Sequence, residues 1–160
     1  MTAAEPLPVP TPADLRTLQH RLAGMPPVAA MGIAVRDFAD GGLRLEAPLA
    51  LNVNDKDNAF GGSLASLMTL AGWGWLSLQL DLAGAQADIY VADSQLRYLT
   101  PVYEILRAEA APEAPAEWPG FLAALRQRGK ARLTMAACVR LASGQPAATF
   151  TGRFVAIAKR

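Results

Sequence analysis

Asn52, Asn54, Asn58, Phe60, Gly61, Gly62 and Ser63 fall within one twelve-residue segment that runs straight into an uncharged apolar stretch. A helix beginning at the two glycines presents free backbone N–H groups and a partial positive charge. Glycine has no side chain to block the approach to those groups. Such an arrangement can hold a carbonyl oxygen and stabilise it as it gains negative charge. The asparagines and Ser63 could orient a substrate or donate a further hydrogen bond. A second reading is equally physical: the glycine pair permits close packing, and the asparagines only form turns and caps.

Little other chemistry is available. The single histidine, His20, excludes a multi-histidine metal site, and one cysteine, Cys138, supports neither a zinc-thiolate cluster nor a disulfide framework within the chain. A Ser-His-Asp triad would have to use His20. His20 reads as a rim residue of a short amphipathic helix, and Cys138 alternates onto the polar face of a strand. Fifteen Lys+Arg against fourteen Asp+Glu leave a net charge of +1, so no long-range field points to nucleic acid or an anionic membrane. Arg126, Arg128, Lys130 and Arg132 form a basic cluster. It reads as a solvated surface or as a contact for phosphates or an acidic protein.

At 160 residues, 52% of them hydrophobic and 18% charged, the chain suits one domain with a real core. Residues 1–11 are Pro-rich and read as a flexible tail, with one domain over 12–160. The opening MTAAEPLPVPTP has neither the basic nor the apolar region of a secretory leader. Thr11-Pro12 starts a helix carrying Leu15, Leu18 and Leu22, which Gly24 and Pro26-Pro27 stop. Alternating residues on either side of Asp40-Gly41-Gly42 predict a hairpin.

From Asn58 to Leu80 there is no charge over 23 residues, but four glycines and several hydroxyls interrupt the stretch, and acidic Asp57 and Asp81 flank it. A buried helix over 62–81 is the expectation, not a membrane span. Trp73 and Trp75 cannot share one of its faces. Strands follow at 89–99 and 102–110, then a Pro/Ala connector, a short helix at 121–128, and strands at 130–141 and 147–158. Helix, two strands, one long apolar helix and four strands predict an α+β fold, an antiparallel sheet wrapped around the long helix.

The segments APLALNVNDKDNAFGGSLASLMTLAGWG, ADIYVADSQLRYLTPV and RGKARLTMAACVRLASG resemble the hot-dog fold. More closely, they resemble the thioesterase-like family typified by the C-terminal domain of YiiD proteins, over roughly residues 15–158. The resemblance implies a dimer of hot-dog subunits acting on acyl chains carried by coenzyme A or acyl carrier protein; a cytoplasmic homodimer, or a dimer of dimers, is the expectation. Some members are linked to decarboxylation of malonyl-acyl carrier protein, which supplies acetyl units for fatty-acid synthesis. No metal or redox cofactor is implied; coenzyme A or phosphopantetheine arrives as part of the substrate.

Generic hot-dog thioesterases often read His-Gly-Gly, with an acid seven residues after the second glycine. Here Phe60 and Thr69 occupy those two positions, and the usual base for activating water is missing. Asn54 falls where many of them carry an asparagine. The expected site is therefore the N–H groups of Gly61 and Gly62 with Asn54 or Asn52. Asn58, Phe60, Ser63, Thr69 and Tyr98 would shape or line the pocket, and Arg128 and Lys130 would meet the carrier. Asp93 has no assigned place. A non-catalytic acyl-binding module stays an alternative.

Overall fold

The structure, a computed structural model, describes residues 7–160. The tail expected over residues 1–11 therefore lies in part outside the described residues. Residues 7–11 are laid against the domain: Pro10 is buried, Leu7 packs on the core, and the Gln79 side chain donates to the Pro8 carbonyl.

Helix α1 (Pro12–Ala23) begins as expected. Thr11 accepts a hydrogen bond from the Asp14 N–H, and the Asp14 carboxylate accepts one from the Thr11 N–H, a reciprocal cap. The prolines at 26–27 end that helix but also open another, α2 (Pro26–Met31), because proline suits a first helical turn. Strands β1 (Ala34–Ala39) and β2 (Gly42–Ala47) form the expected hairpin. Asp40 and Gly41 both take positive φ at its turn, matching the right-handed strand twist.

Helix α3 (Gly61–Leu82) follows, then β3 (Ala87–Tyr98), β4 (Leu106–Pro112), α4 (Trp118–Arg128), β5 (Lys130–Arg140) and β6 (Pro146–Ala158). All six strands form one antiparallel sheet in the order β1-β2-β4-β5-β6-β3. The sheet wraps α3, which packs against β2 through β6. Leu67, Met68, Trp75 and Leu76 are wholly buried there. Each such side chain contributes roughly 1.5–3 kcal/mol relative to exposure. Gly72 and Gly74 let the sheet come close: a β-carbon at Gly74 would stand 2.8 Å from Leu43 Cδ2, and one at Gly72 3.0 Å from the Phe154 ring. The Trp75 indole N–H donates to the Gly41 carbonyl at 2.8 Å, pinning helix to hairpin.

In β5 the residues Ala131, Leu133, Met135, Ala137 and Val139 face the helix and the intervening residues face outward, as their alternation predicts. One strand differs from expectation. Residues 102–105 leave the sheet, and β4 starts only at Leu106. The Val102 carbonyl accepts from the Ala59 N–H, and the Glu104 carboxylate accepts from the Ala142 N–H. This segment has bonded to a loop, and that detour builds the site described next.

Candidate active site

The polar loop before α3 is a small, closed hairpin. The Phe60 N–H donates to the Asn52 carbonyl at 2.7 Å, the Asn54 N–H donates to the Asn58 carbonyl at 2.8 Å, and Val53 bridges Ala59. Asp57 takes the positive φ that closes the turn. Asn54 holds the turn from inside. Its Oδ1 accepts from the N–H groups of Lys56 and Asn58, while its Nδ2 donates to Asn58 Oδ1 at 2.7 Å.

This hairpin delivers Phe60 as the N-cap of α3, in extended conformation with no side-chain cap. A serine, threonine or aspartate at this position normally satisfies one of the first free donors, as Thr11 does for α1. Phenylalanine has no acceptor. The N–H groups of Ser63 and Leu64 turn back to the Phe60 carbonyl at 3.0 and 3.1 Å. Those of Gly61 and Gly62 have no acceptor among the described residues. Gly61 is half-buried and Gly62 is exposed. Both donors sit at the positive end of a 22-residue helix.

Gly61 borders a solvent-open cavity of about 320 Å³. Its wall is Asn58, Ala59, Leu64, Tyr98, Leu99, Thr100, Pro101 and Val102, with no carboxylate, imidazole or thiol among them. Tyr98, the last residue of β3, donates its hydroxyl to the Gly61 carbonyl at 3.3 Å. Asn58 is buried and turns its Nδ2 to the Tyr103 hydroxyl at 3.4 Å. Leu51, Val53, Phe60, Leu99 and Tyr103 stay exposed on the loop and the strand end. Clustered exposed apolar side chains of this kind mark a binding surface.

The expected site residues separate into groups. Gly61, Asn58 and Tyr98 meet at the cavity, and the Phe60 ring lies over Gly62, where a β-carbon would fall 2.5 Å from its Cε1. Asn52, expected as a substrate-polarising amide, is not among the residues that line the cavity. It is buried, and its Nδ2 donates to the carbonyls of Met31, the last residue of α2, and of Pro48, just after β2, at 2.9 and 2.8 Å, so both its donor hydrogens are taken up in holding the loop in place. Asn54 acts on Asn58 and does not line the cavity. Ser63 is buried in the first turn, and Thr69 donates to the Ala65 carbonyl one turn back, at 2.8 Å.

Arg128 and Lys130 are exposed at the other end of the sheet. Lys130 pairs with Ile157 of β6, whereas Tyr98 pairs with Ala148. That span of strand is about 30 Å at about 3.3 Å per residue. Arg126 caps the end of α3 by donating to the Ala83 carbonyl. Asp93 lies on the outer sheet face, ion-paired to Arg153, which holds its carboxyl below the ordinary range by hydrogen bonding. His20 is exposed on α1 and Cys138 half-buried on the outer face, where burial pushes its thiol pKa up. Neither lines the cavity. Val102, on the cavity wall, and Tyr103, against Asn58, join the site although their sequence reads as an ordinary strand.

No helix among the described residues is long and apolar enough to cross a membrane. The model of a family described as "Putative thioesterase (yiiD_Cterm)" matches residues 15–158. A Chlorobaculum tepidum protein of unknown function is similar at TM-score 0.84 and 26% identity, over 92% of this chain and 99% of that one. A "putative thioesterase" from Shewanella oneidensis is similar at TM-score 0.81 and 32% identity, over 92% and 99%. A Pseudomonas aeruginosa protein described as "Probable Thioesterase" shares the fold at TM-score 0.78 and 21% identity, over 94% and 99%. With its six-stranded sheet wrapped around α3 and this match over nearly its whole length, the chain belongs to the thioesterase-like YiiD C-terminal family and has the hot-dog fold.

Proposed function

We propose that the protein processes acyl thioesters of coenzyme A or of an acyl carrier protein, with the thioester oxygen held by the N–H groups of Gly61 and Gly62. The observation that carries this reading is the pair of unsatisfied donors at the uncapped start of α3, beside a cavity. Asn58, on the cavity wall, is the side chain nearest in role to a third donor. Donors fixed in advance cost no reorganisation when the oxygen becomes anionic. The exposed apolar rim suits an acyl chain and its pantetheine arm. The coenzyme or carrier arm comes with the substrate, and no metal or redox group is invoked.

A second copy of the chain pairs along β3 in this proposal. β3 is a twelve-residue sheet edge, bonded among the described residues only to β6, with Tyr90, Val91 and Tyr98 exposed. A long open edge of this kind is normally covered. Antiparallel pairing sets the Ala87 end of one copy beside the Tyr98 end of the other. The basic end carrying Arg128 and Lys130 is then available to the phosphates or carrier of a substrate bound across the pair.

The uncharged cavity wall favours a second reading, decarboxylation of a malonyl thioester. Hydrolysis needs a group that takes a proton from water. Decarboxylation needs none at its first step. The bond to the carboxylate carbon breaks, its electron pair passes into the enolate, and carbon dioxide leaves. The enolate oxygen rests on the two N–H groups until its carbon takes a proton from water, leaving an acetyl thioester.

One experiment separates these readings. The protein is incubated with malonyl and medium-chain acyl thioesters, on coenzyme A and on carrier protein, and the products are read by mass spectrometry. Free thiol marks hydrolysis. Acetyl thioester with carbon dioxide marks decarboxylation. Binding without turnover leaves an acyl-binding module and overturns the enzymatic proposal.

A further inference from the structure

On the outer face of the sheet, away from α3, a pocket of about 190 Å³ is lined by four arginines, Arg36, Arg44, Arg107 and Arg140, and by a single acidic residue, Glu109. The sequence scatters these arginines over β1, β2, β4 and β5, and only the register of the sheet gathers them. Two are already engaged. Arg44 forms a bidentate pair with Asp37, and Arg140 bonds Glu109 and the Gly144 carbonyl. Arg36 and Arg107 have no hydrogen-bonded carboxylate among the described residues. Glu46 faces Arg107 across the β2–β4 ladder, yet no ion pair forms between them.

Arg107 supplies the second observation. Its Nε is fully buried and has no hydrogen-bond acceptor among the described residues. A buried N–H on a cation, left without an acceptor, is costly, so the half-buried Arg107 gains where a shift of its side chain brings a guanidinium N–H to an oxygen in the pocket. The arginine fork matches the oxygens of a phosphoryl group in spacing and plane. A larger depression of about 420 Å³ adjoins the pocket and shares Arg44, Glu109 and Cys138 with it. Asp40 and Glu113 line that side. Their charge repels a long polyanion and confines an anion to the arginine end.

We propose that this pocket binds a phosphoryl group, carried by a small phosphate ester or an inorganic phosphate, at a site separate from the α3 cavity. The proposal does not depend on the thioester reading, because the two sites lie on opposite faces of the sheet.

The test is a titration of the full chain with inorganic phosphate, pyrophosphate and glycerol 3-phosphate at constant ionic strength, followed by nitrogen-15 NMR. Saturable shifts at residues 36, 44, 107 and 140 are expected, including the arginine Nε signals. The probe that binds tightest distinguishes ester from inorganic phosphate. Arg36→Gln and Arg107→Gln should each weaken binding at least about tenfold, the scale of one lost charge-assisted bond. Arg16→Gln, an exposed change on α1, should leave binding as it was. Arg36 is exposed, so its variant keeps the fold and decides the matter if Arg107→Gln does not fold. Shifts that do not saturate, shifts centred on residues 126–132, or unaltered binding in Arg36→Gln overturn the proposal.

Discussion

The hydroxyl of Tyr98 reaches the carbonyl of Gly61 at 3.3 Å, tying the end of β3 to the first residue of α3 while the N–H of that same glycine stays unbonded among the described residues. Gly61 is thus held by its acceptor and left free at its donor. Proline isolates the donor. It is well accommodated at the first helical position, where it removes only the N–H. Phe60 already has the extended backbone that a residue before proline needs, φ −62° and ψ 129°. A β-carbon at Gly61 meets the Tyr98 ring at an ordinary 3.7 Å. Gly61→Pro is expected to fold and to lose about 100- to 1000-fold in kcat, the usual effect of deleting one oxyanion donor. A folded variant with unchanged turnover removes the backbone-donor mechanism.

Asn52 and Asn58 should fail in different ways. Asn52→Ala strips the donors from two part-buried carbonyls, those of Met31 and Pro48, at roughly 1–3 kcal/mol for each carbonyl left without a partner. Thermal stability should drop, with turnover per folded molecule within a few-fold of the parent. Asn58→Ala should lower kcat about 100-fold, the scale of a side-chain oxyanion donor, for a smaller loss of Tm. Paired measurements of Tm and kcat check both. The opposite pattern would make Asn52 the group that meets substrate.

Gly74→Ala tests the close approach of sheet and helix. Alanine is the better helix former by about 1 kcal/mol. Its β-carbon, however, would stand 2.8 Å from Leu43 Cδ2 and 3.5 Å from Leu18 Cδ2, both on wholly or almost wholly buried side chains. Overpacking of that kind costs about 1–3 kcal/mol. We expect a net loss of about 1 kcal/mol, seen as a Tm a few degrees lower. A rise in Tm would mean that the interface has slack.

Asp93→Asn tests the outer face and carries a pH signature. Arg153 keeps the Asp93 carboxyl below its usual range, chiefly through the side-chain hydrogen bond. The pair therefore adds stability above the unfolded carboxylate pKa of about 3.9 and loses it as pH falls through the lower folded value. Because both groups are exposed, the contribution is small. Melting curves from pH 7 to pH 2 should show the parent losing slightly more stability than the variant. Turnover at pH 7 should stay within twofold. A tenfold loss would place Asp93 at the reacting centre.

Much of this protein is legible in its residues taken in order. The reciprocal Thr11–Asp14 cap, the turn at Asp40-Gly41, the uncharged α3 and the alternation along β5 are local patterns, set by backbone sterics and burial period. They suffice for a sheet wrapped around one helix, and the glycine pair marks where α3 begins. What each polar side chain bonds to depends on residues distant in the chain, so tertiary structure alone decided it. Asn52 turned to Met31 and Pro48, which left Asn58 to reach the cavity beside Tyr103. Strand β4 began four residues later than its alternation suggests, because Val102 bonded Ala59 in place of a neighbouring strand. The four outer-face arginines met only through sheet register. A hydrogen bond or a shared pocket is a relation between separate segments, and segment order carries no record of it until the sheet closes.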